Sequence, residues 1–305
     1  MTVALHELAM QGDPGTLTSE DQASKLKLLD PQQLYELWER QHWLSQEIDF
    51  SQDKRDWAEM DDPNKDQFMF GLSAFFVGEE RVTTQFSGLV MAYRDEQEEA
   101  FLTTQQVDEA RHVQFFDRMY REVFGVDDPD ITRRLDRVRG DLNKYFVKLF
   151  DEELVQAGRK LIEDPSDIEA KVEFVATYHM VIEGILALTG QNFITQFCER
   201  QGIMPGFVEG FGKVARDEHR HVAYGTWFLK ETAGKDEVLA QRMRDKIMDL
   251  LPIAAGVLVP IGYDIGDEWE LFGYDSAQVN EFAFASLNRR LKAIGVPLQP
   301  AEAAA

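Results

Sequence analysis

The feature that most constrains the fold of this 305-residue chain is a pattern of acidic and imidazole side chains that occurs twice. Each copy has a lone glutamate, followed thirty to thirty-five residues later by a Glu-x-x-His pair. The six residues are, in chain order, Glu79, Glu109, His112, Glu183, Glu218 and His221. Residues three apart share one face of a helix, so each pair can point at one place. Four helices packed antiparallel would bring all six to a bundle centre, as ligands for two metal ions.

The neighbours of these glutamates strengthen the metal interpretation. Glu79 follows Phe75 and Phe76, and Glu183 precedes Leu186 on a strongly apolar stretch. Burying an uncompensated carboxylate costs several kcal/mol, and bound cations would remove that cost. A single Glu-x-x-His usually marks a solvated helix face, but two copies on apolar helices are hard to obtain by chance. Because the set contains no thiolate, a zinc or iron–sulfur site is disfavoured, whereas iron and manganese suit carboxylate and imidazole ligands.

Charge and cysteine content exclude several function classes. The formal net charge of −23 and the isoelectric point near 4.6 disfavour nucleic-acid binding, because phosphates would be repelled. The lone cysteine, Cys198, rules out an intramolecular disulfide and fits a reducing, cytoplasmic location.

The first twenty residues lack the pattern of a signal peptide. The longest apolar run, 250–262, is too short to cross a bilayer and contains two prolines, so no membrane span is predicted.

Glycine and proline punctuate a series of helical segments, and strand signals are weak throughout. The segment 50–62 is predicted to be irregular. The predicted helices cover 31–40, 62–93, 95–124, 140–163, 165–202, 205–234, 235–264 and 276–294, with a short helix starting at 128. Because this pattern continues along nearly the whole sequence, we expect one domain over 1–305, with flexible ends at 1–25 and 296–305.

The motifs around the six residues resemble the small subunit of class I ribonucleotide reductase and, more closely, the ligand-binding oxidases derived from that fold. The resemblance covers about 48–228. It rests on Gly78-Glu79-Glu80-x-Val82-Thr83, Glu109-Ala-Arg-His112, Glu183-Gly-x-Leu-Ala-Leu-Thr189-Gly190 and Asp217-Glu218-x-Arg-His221-x-Ala-x-Gly225-Thr226. It implies an all-α, ferritin-like helical bundle, with a dinuclear metal site in a four-helix core and extra helices around it.

Two further residues favour the oxidases over the reductase subunits. The oxidases carry a valine three residues after the first ligand glutamate and a tyrosine five residues before the third, which become joined by an ether bond. Val82 and Tyr178 hold these positions here. Helix geometry alone leaves Glu79 and Glu80 as alternatives for the first ligand, and this register selects Glu79. Val82 and Tyr178 could also be ordinary core residues.

The resemblance implies a specific chemistry. One site would consist of Glu79, Glu109 and His112 and hold manganese. The other would consist of Glu183, Glu218 and His221 and hold iron, with di-iron as the alternative metal content. The loaded pair would activate O₂ as a two-electron oxidase whose substrate is unknown. Asp217 is expected to accept a hydrogen bond from His112, beyond the ligands. The family also implies a homodimer and a long-chain fatty acid, or similar apolar ligand, that reaches the metals.

Three other functions stay open at this stage. A radical-generating reductase subunit is less well supported, because Phe116 stands where that family usually holds a radical tyrosine, and no tyrosine follows Tyr274. A di-iron ferroxidase would use the same ligands, and a purely structural helical protein would bind no metal. Among the other histidines, His219 is expected to face solvent, whereas the role of His179 is left open.

Overall fold

The computed structural model describes residues 13–16 and 25–298, and within them the chain is almost entirely helical. We number the helices in chain order. They are α1 (Pro31–Arg40), α2 (Ser51–Glu59), α3 (Asp62–Gln85), α4 (Ser87–Met91), α5 (Glu96–Glu122), α6 (Ile131–Val138), α7 (144–163), α8 (Ile168–Gln201), α9 (Pro205–Glu231), α10 (Glu237–Val257) and α11 (Ser276–Ile294). Between α10 and α11 lies a hairpin of two-residue strands, β1 (Glu270–Leu271) and β2 (Tyr274–Asp275), paired antiparallel.

Aspartate side chains cap the N-termini of most of these helices. They accept hydrogen bonds from backbone N–H groups of the first turn, which would otherwise lack partners. The capping aspartates are Asp30, Asp61, Asp95, Asp130, Asp167, Asp236 and Asp275. The Asp-Pro pairs that suggested helix starts at 31 and 62 therefore act as expected, with proline in the first turn.

The helices predicted to start at 128 and 165 start at Ile131 and Ile168 instead, and two larger local predictions were also wrong. The segment predicted to be irregular contains α2, in which buried Asp53 caps the start of α9 through the N–H groups of Gly206 and Phe207. The helix expected to reach 264 ends at Val257, because Pro260 and Gly262 (φ +97°) follow in a loop. Both differences arise from tertiary contacts and turn geometry rather than from hydrophobic periodicity.

The core is formed by α3 packed on α5 and by α8 packed on α9, and these four helices carry all six proposed ligands. Helices α10 and α11 cover the middle of α8, while α1 lies against α5. The central part of α8, Ala176–Ala187, has π-helical geometry, as does the Val147–Glu153 part of α7. Short π-helical segments inside α-helices are frequent at functional sites.

Helix α8 is the one described helix that is long and apolar enough to cross a membrane. Its most apolar window is 89% buried inside the bundle, and it carries Glu183 in its middle. We therefore assign α8 to the protein core.

The predicted flexible ends fall mostly outside the described residues. Residues Pro14–Thr16 form a 3-10 turn beside α11, where the Gly15 carbonyl accepts hydrogen bonds from Arg289. Next to it, the buried Asp13 carboxylate accepts two hydrogen bonds from the buried Arg290 guanidinium. This short segment is thus anchored to the last helix.

Candidate metal centre

The structure brings all six acidic and imidazole side chains to one buried place in the middle of the four-helix core. One group offers ligand atoms that lie within 4.8 Å of one another, from Glu79, Glu109, His112 and Glu218. A second group meets the same limit, with atoms from Glu109, Glu183, Glu218 and His221. Because Glu109 and Glu218 belong to both groups, each has the position of a carboxylate that could bridge two cations.

Both imidazole rings present Nδ1 to the carboxylates. His112 Nδ1 lies 3.4 Å from oxygens of Glu79 and of Glu218. His221 Nδ1 lies 3.1 Å from Glu109 and from Glu183. The opposite nitrogens face aspartates outside the cluster, so we assign the proton of each neutral ring to Nε2, which leaves the Nδ1 lone pair free for a cation.

These outer partners form a symmetric pair. His112 Nε2 lies 3.3 Å from Asp217 Oδ2, and His221 Nε2 lies 3.2 Å from Asp108 Oδ2. Asp108 has no role in the sequence prediction. Its signal was present, since Asp-Glu-x-Arg-His occurs at 108–112 and again at 217–221, so that Asp108 repeats Asp217.

Two arginines and two tryptophans complete this network. Arg220 donates to Asp108 (2.9 Å) and to Asp217 (2.5 Å), and Arg111 also pairs with Asp108. The Trp38 indole donates to Asp108 at 2.8 Å, and the Trp43 indole donates to Asp217 at 2.7 Å. The arginines are visible in the repeated motif, whereas the tryptophans come from α1 and the loop after it, and no local sequence pattern links them to the site.

The electrostatics of the cluster fit a bound cation pair. Burial raises the pKa of Glu79 and of Glu183 well above the usual value, and neighbouring carboxylates add to this. Burial alone would also raise the pKa of Glu109, but His221 and His112 hold it well below its usual value. Among the described residues, Glu183 Oε2 and Glu218 Oε2 are buried without a hydrogen-bond partner. Since buried polar atoms normally have partners, these oxygens are suited to metal coordination.

The two histidines of the cluster are expected to be protonated when no cation is bound. Burial lowers the pKa of a histidine, but the facing carboxylates overcome this effect and raise the pKa of His112 and His221 well above the usual value. A cation at Nδ1 would displace that proton, so metal uptake by these rings is expected to release protons.

Val82 and Tyr178 lie beside the cluster. The Tyr178 hydroxyl donates a short hydrogen bond to Glu109 Oε1, and the ring is fully buried. Both residues line one cavity of about 930 Å³, counting its open mouth. Its wall also includes Glu79 and Glu183, while most of the remaining lining is apolar. The cavity therefore joins an apolar space to the carboxylate cluster. Phe116, at the position discussed for a radical tyrosine, is buried and stacks on Phe75.

The remaining sequence candidates have distinct environments. Glu80 is about one-third exposed and lies 3.6 Å from Arg81 and Arg139, outside the cluster. His219 is only 20% exposed, and its Nδ1 lies 3.1 Å from Asp13, so the expectation that it faces solvent was wrong. His179 is fully buried, and its Nε2 lies 3.2 Å from the Gln105 amide.

Comparison with known proteins agrees with this geometry. The family model described as ribonucleotide reductase, small chain, matches residues 24–299. A point variant of an R2-like ligand-binding oxidase with anaerobically reconstituted Mn/Fe cofactor is 26% identical, with a TM-score of 0.75, and the match covers 87% of this chain and 93% of that chain. The same oxidase variant with aerobically reconstituted Mn/Fe cofactor gives a TM-score of 0.74 at the same identity and coverage.

These matches confirm the resemblance, the all-α ferritin-like fold and the assignment to the oxidoreductases. The family match includes all four helices that carry the carboxylate cluster, and the structural match extends over most of both chains. The chain therefore belongs to the ribonucleotide reductase small-chain family.

Proposed function

We propose that this protein is an O₂-activating two-electron oxidase that holds one manganese and one iron ion, and that it forms an ether bond between Val82 and Tyr178. The observation that carries the proposal is the shared cavity wall, in which both residues stand beside the buried glutamates. The Mn/Fe cofactor of the similar R2-like ligand-binding oxidases supports the metal content. A di-iron centre is the alternative, because the same ligand types accept either metal.

The ligand roles follow the two clusters of oxygen and nitrogen atoms. We assign Glu79, Glu109 and His112 to the first ion. The second ion is assigned to Glu183, Glu218 and His221, again as a proposal. Glu109 and Glu218 are the candidates for bridging, because each contributes to both clusters. Asp217 is proposed to hold the ring of His112 in place from outside the ligand set.

When bound, the metal pair would supply the capacity to remove two electrons, with O₂ as the acceptor. The protein contributes position and proton handling. The Tyr178 hydroxyl points at Glu109, which can accept its proton, while the buried Val82 side chain presents C–H bonds to the same cavity. Forming the ether breaks one Val82 C–H bond and the Tyr178 O–H bond and makes one C–O bond. The two protons and two electrons released go to O₂.

The cavity also supports an apolar ligand with an acidic head. Its apolar side is formed by residues such as Leu186 and Ile194, and its inner end reaches the metal cluster. We propose a long-chain fatty acid, whose chain would fill the apolar part and whose carboxylate would face the metals. On the family resemblance we further propose a homodimer in the cytoplasm and a single domain. Sedimentation velocity of the purified protein tests the dimer.

Peptide mass spectrometry tests the oxidase proposal directly. Metal-free protein is loaded with Mn(II) and Fe(II), exposed to air and digested, while metal content is measured on the same sample. We expect a linked peptide pair containing Val82 and Tyr178, lighter by two hydrogens than the separate peptides. The Tyr178→Phe variant is the control, because it keeps the proposed ligands and lacks the reacting oxygen. Unlinked peptides from wild-type protein that contains two metals would contradict the oxidase assignment.

One observation favours a second candidate, the radical-generating subunit of ribonucleotide reductase. Hydrogen bonds connect the buried indole of Trp43 through Asp217 to His112, which gives a hydrogen-bonded chain that leads away from the cluster. The phenylalanine at 116 argues against a radical at that position. Electron paramagnetic resonance of the oxidised protein separates the two, because the reductase function needs a lasting protein radical and the oxidase function does not.

A further inference from the structure

A second buried polar cluster lies away from the proposed ligands, at the start of α5. The fully buried Glu98 carboxylate accepts a hydrogen bond from the Tyr224 hydroxyl at 2.7 Å. Lys171 Nζ lies 3.2 Å from the same carboxylate, and Arg94 donates to it from its backbone N–H at 2.6 Å. Burying this many polar groups has a large desolvation cost, and none of them has a part in the proposed oxidase chemistry.

Tyr224 is also the middle of a continuous series of rings that starts at the metal cluster. The ring centroids of Tyr178 and His179 are 4.6 Å apart, and those of His179 and Tyr224 are 5.3 Å apart. Trp227 follows at 6.0 Å from Tyr224, and its side chain is partly exposed. Each separation is short enough for electron tunnelling between neighbouring rings, so the series connects Tyr178 to solvent.

Two features of this contact between α8 and α9 suit it to electron transfer, namely a close approach and a neutral ring. A Cβ atom on Gly225 would lie only 2.3 Å from His179 Cβ, so glycine is what allows the two helices to approach here. Burial lowers the pKa of His179 well below its usual value, and the ring is therefore neutral between the two tyrosines. A neutral ring adds no charge that would oppose the oxidation of either tyrosine.

We propose that Tyr224 and Trp227 form a protective electron path, through which a soluble one-electron reductant, such as ascorbate or a thiol, restores Tyr178 after an unproductive oxidation. The proposal rests on the proposed function, since an oxidising metal pair is what would endanger Tyr178. Its function is to remove an oxidising equivalent from the core before the equivalent damages the ligand helices.

The electron and proton steps balance as follows. An oxidised Tyr178 takes one electron from Tyr224 and recovers its proton from Glu109, which it already contacts. Tyr224 passes its own hydroxyl proton to Glu98, because an oxidised phenol is a far stronger acid than a carboxylic acid. Trp227 then supplies one electron to Tyr224, and the proton returns from Glu98. The reductant finally restores Trp227 at the surface.

The charges around the path have defined effects. Burial would raise the pKa of Glu98, but Lys171, Tyr224 and Arg94 together hold it below its usual value, so the carboxylate is ionised and can accept a proton. The Arg94 guanidinium lies 5.1 Å from the centre of the Trp227 ring. A cation there disfavours a positively charged indole. An oxidising equivalent therefore rests on Tyr224 and reaches Trp227 only briefly.

Pulse radiolysis of the full-length, metal-free protein tests the path without any oxidase activity. Azide radicals oxidise accessible tryptophans, and transient absorption follows the conversion of a tryptophan radical into a tyrosine radical. We expect a first-order conversion in wild-type protein that slows by more than an order of magnitude in Tyr224→Phe. Glu98→Gln should slow it similarly, because the amide can still accept the hydrogen bond but cannot take the proton.

Tyr120→Phe is the matched control, since Tyr120 is equally buried and donates or accepts a hydroxyl hydrogen bond with Ser73, at a site apart from the path. Near-ultraviolet circular dichroism confirms that each variant is folded. Wild-type kinetics in Tyr224→Phe, or equal slowing in Tyr120→Phe, would overturn the path. Because the assay needs neither metal nor O₂, its result is independent of whether the ether bond forms.

Discussion

At the scale of single residues, the cluster of glutamates and histidines is supported by a twofold arrangement of outer partners. Each imidazole Nε2 faces an aspartate, Asp217 for His112 and Asp108 for His221, and each aspartate accepts from a tryptophan indole. Burial would raise the pKa of Asp217, but Arg220, His112 and Arg111 together hold it below its usual value. An ionised aspartate at this position keeps the proton of the imidazole on Nε2 and directs Nδ1 inward.

The first prediction concerns this pair. Asp217→Asn and Asp108→Asn should each weaken metal binding by about 10–100-fold, because an amide holds the imidazole less firmly than a carboxylate does. Competition with a metal chelator measures the effect. Asp136→Asn is the control, since the Asp136 side chain is 71% exposed and pairs with Arg139, which is not a member of the cluster. Unchanged affinity in both variants would remove these aspartates from the metal site.

The proposed ligands were easier to find in the sequence than the residues that support them. Glu79, Glu183 and the two Glu-x-x-His pairs were recognisable because helical spacing is local and repeats. Asp108 could have been found by aligning the two Asp-Glu-x-Arg-His motifs. Trp38 could not, because its contact with Asp108 joins residues seventy positions apart and depends on how α1 packs on α5.

At the scale of elements, the π-helical part of α8 explains how Tyr178 and Glu183 both reach the same cavity. Residues five apart point in different directions on an α-helix, which has 3.6 residues per turn. In π geometry, i→i+5 hydrogen bonds bring such residues nearly above one another. Both side chains accordingly line the same cavity. The sequence predicts a helix here but not this geometry, because the apolar residues of a fully buried helix face every direction and mark no period.

The second prediction uses two glycines of α9. Gly225→Ala would place a Cβ atom 2.3 Å from His179 Cβ and push apart two helices that carry proposed ligands, so a loss of about 1–3 kcal/mol in the free energy of unfolding is expected. Gly212→Ala is the matched control, because nothing lies within 4 Å of its added Cβ, and it should stabilise by about 0.5–1 kcal/mol. Denaturant unfolding measures both. A stable Gly225→Ala variant would show that the contact is loose.

At the scale of the whole molecule, the bundle surrounds an acidic centre and an apolar cavity within a strongly acidic chain. The order of the helices was largely predictable, because periodicity and the Asp-Pro pairs near 31 and 62 are local signals. The pairs at 128 and 164 misplaced two starts, because Asp130 and Asp167 are the residues that cap those helices. The hairpin at 270–275 was not, since its strands have two residues each and depend on Phe272 and Gly273 at positive φ. The cavity itself arises from packing among distant elements, which no single segment encodes.

The third prediction tests the cavity. A long-chain fatty acid should raise the melting temperature of wild-type protein, since a ligand at about 100 times its dissociation constant stabilises by about 2.7 kcal/mol. Ala74→Phe should abolish the shift, because Ala74 lines the cavity and a phenyl ring would fill it. Ala58→Phe, at an exposed position of α2, is the control. A shift that persists in Ala74→Phe while metal content is unchanged would place the fatty acid elsewhere.

The burial of α8 has a consequence for the synthesis of the protein on the ribosome. Ile168–Gln201 leaves the exit tunnel before α9, α10 and α11, which later cover it. During that interval an apolar stretch long enough to cross a bilayer is exposed, and nascent chains of this kind are prone to aggregation. Glu183 in its middle opposes membrane insertion, because a charged side chain is costly at the centre of a bilayer. A residue proposed as a metal ligand would therefore also help to keep the unfinished chain out of the lipid phase.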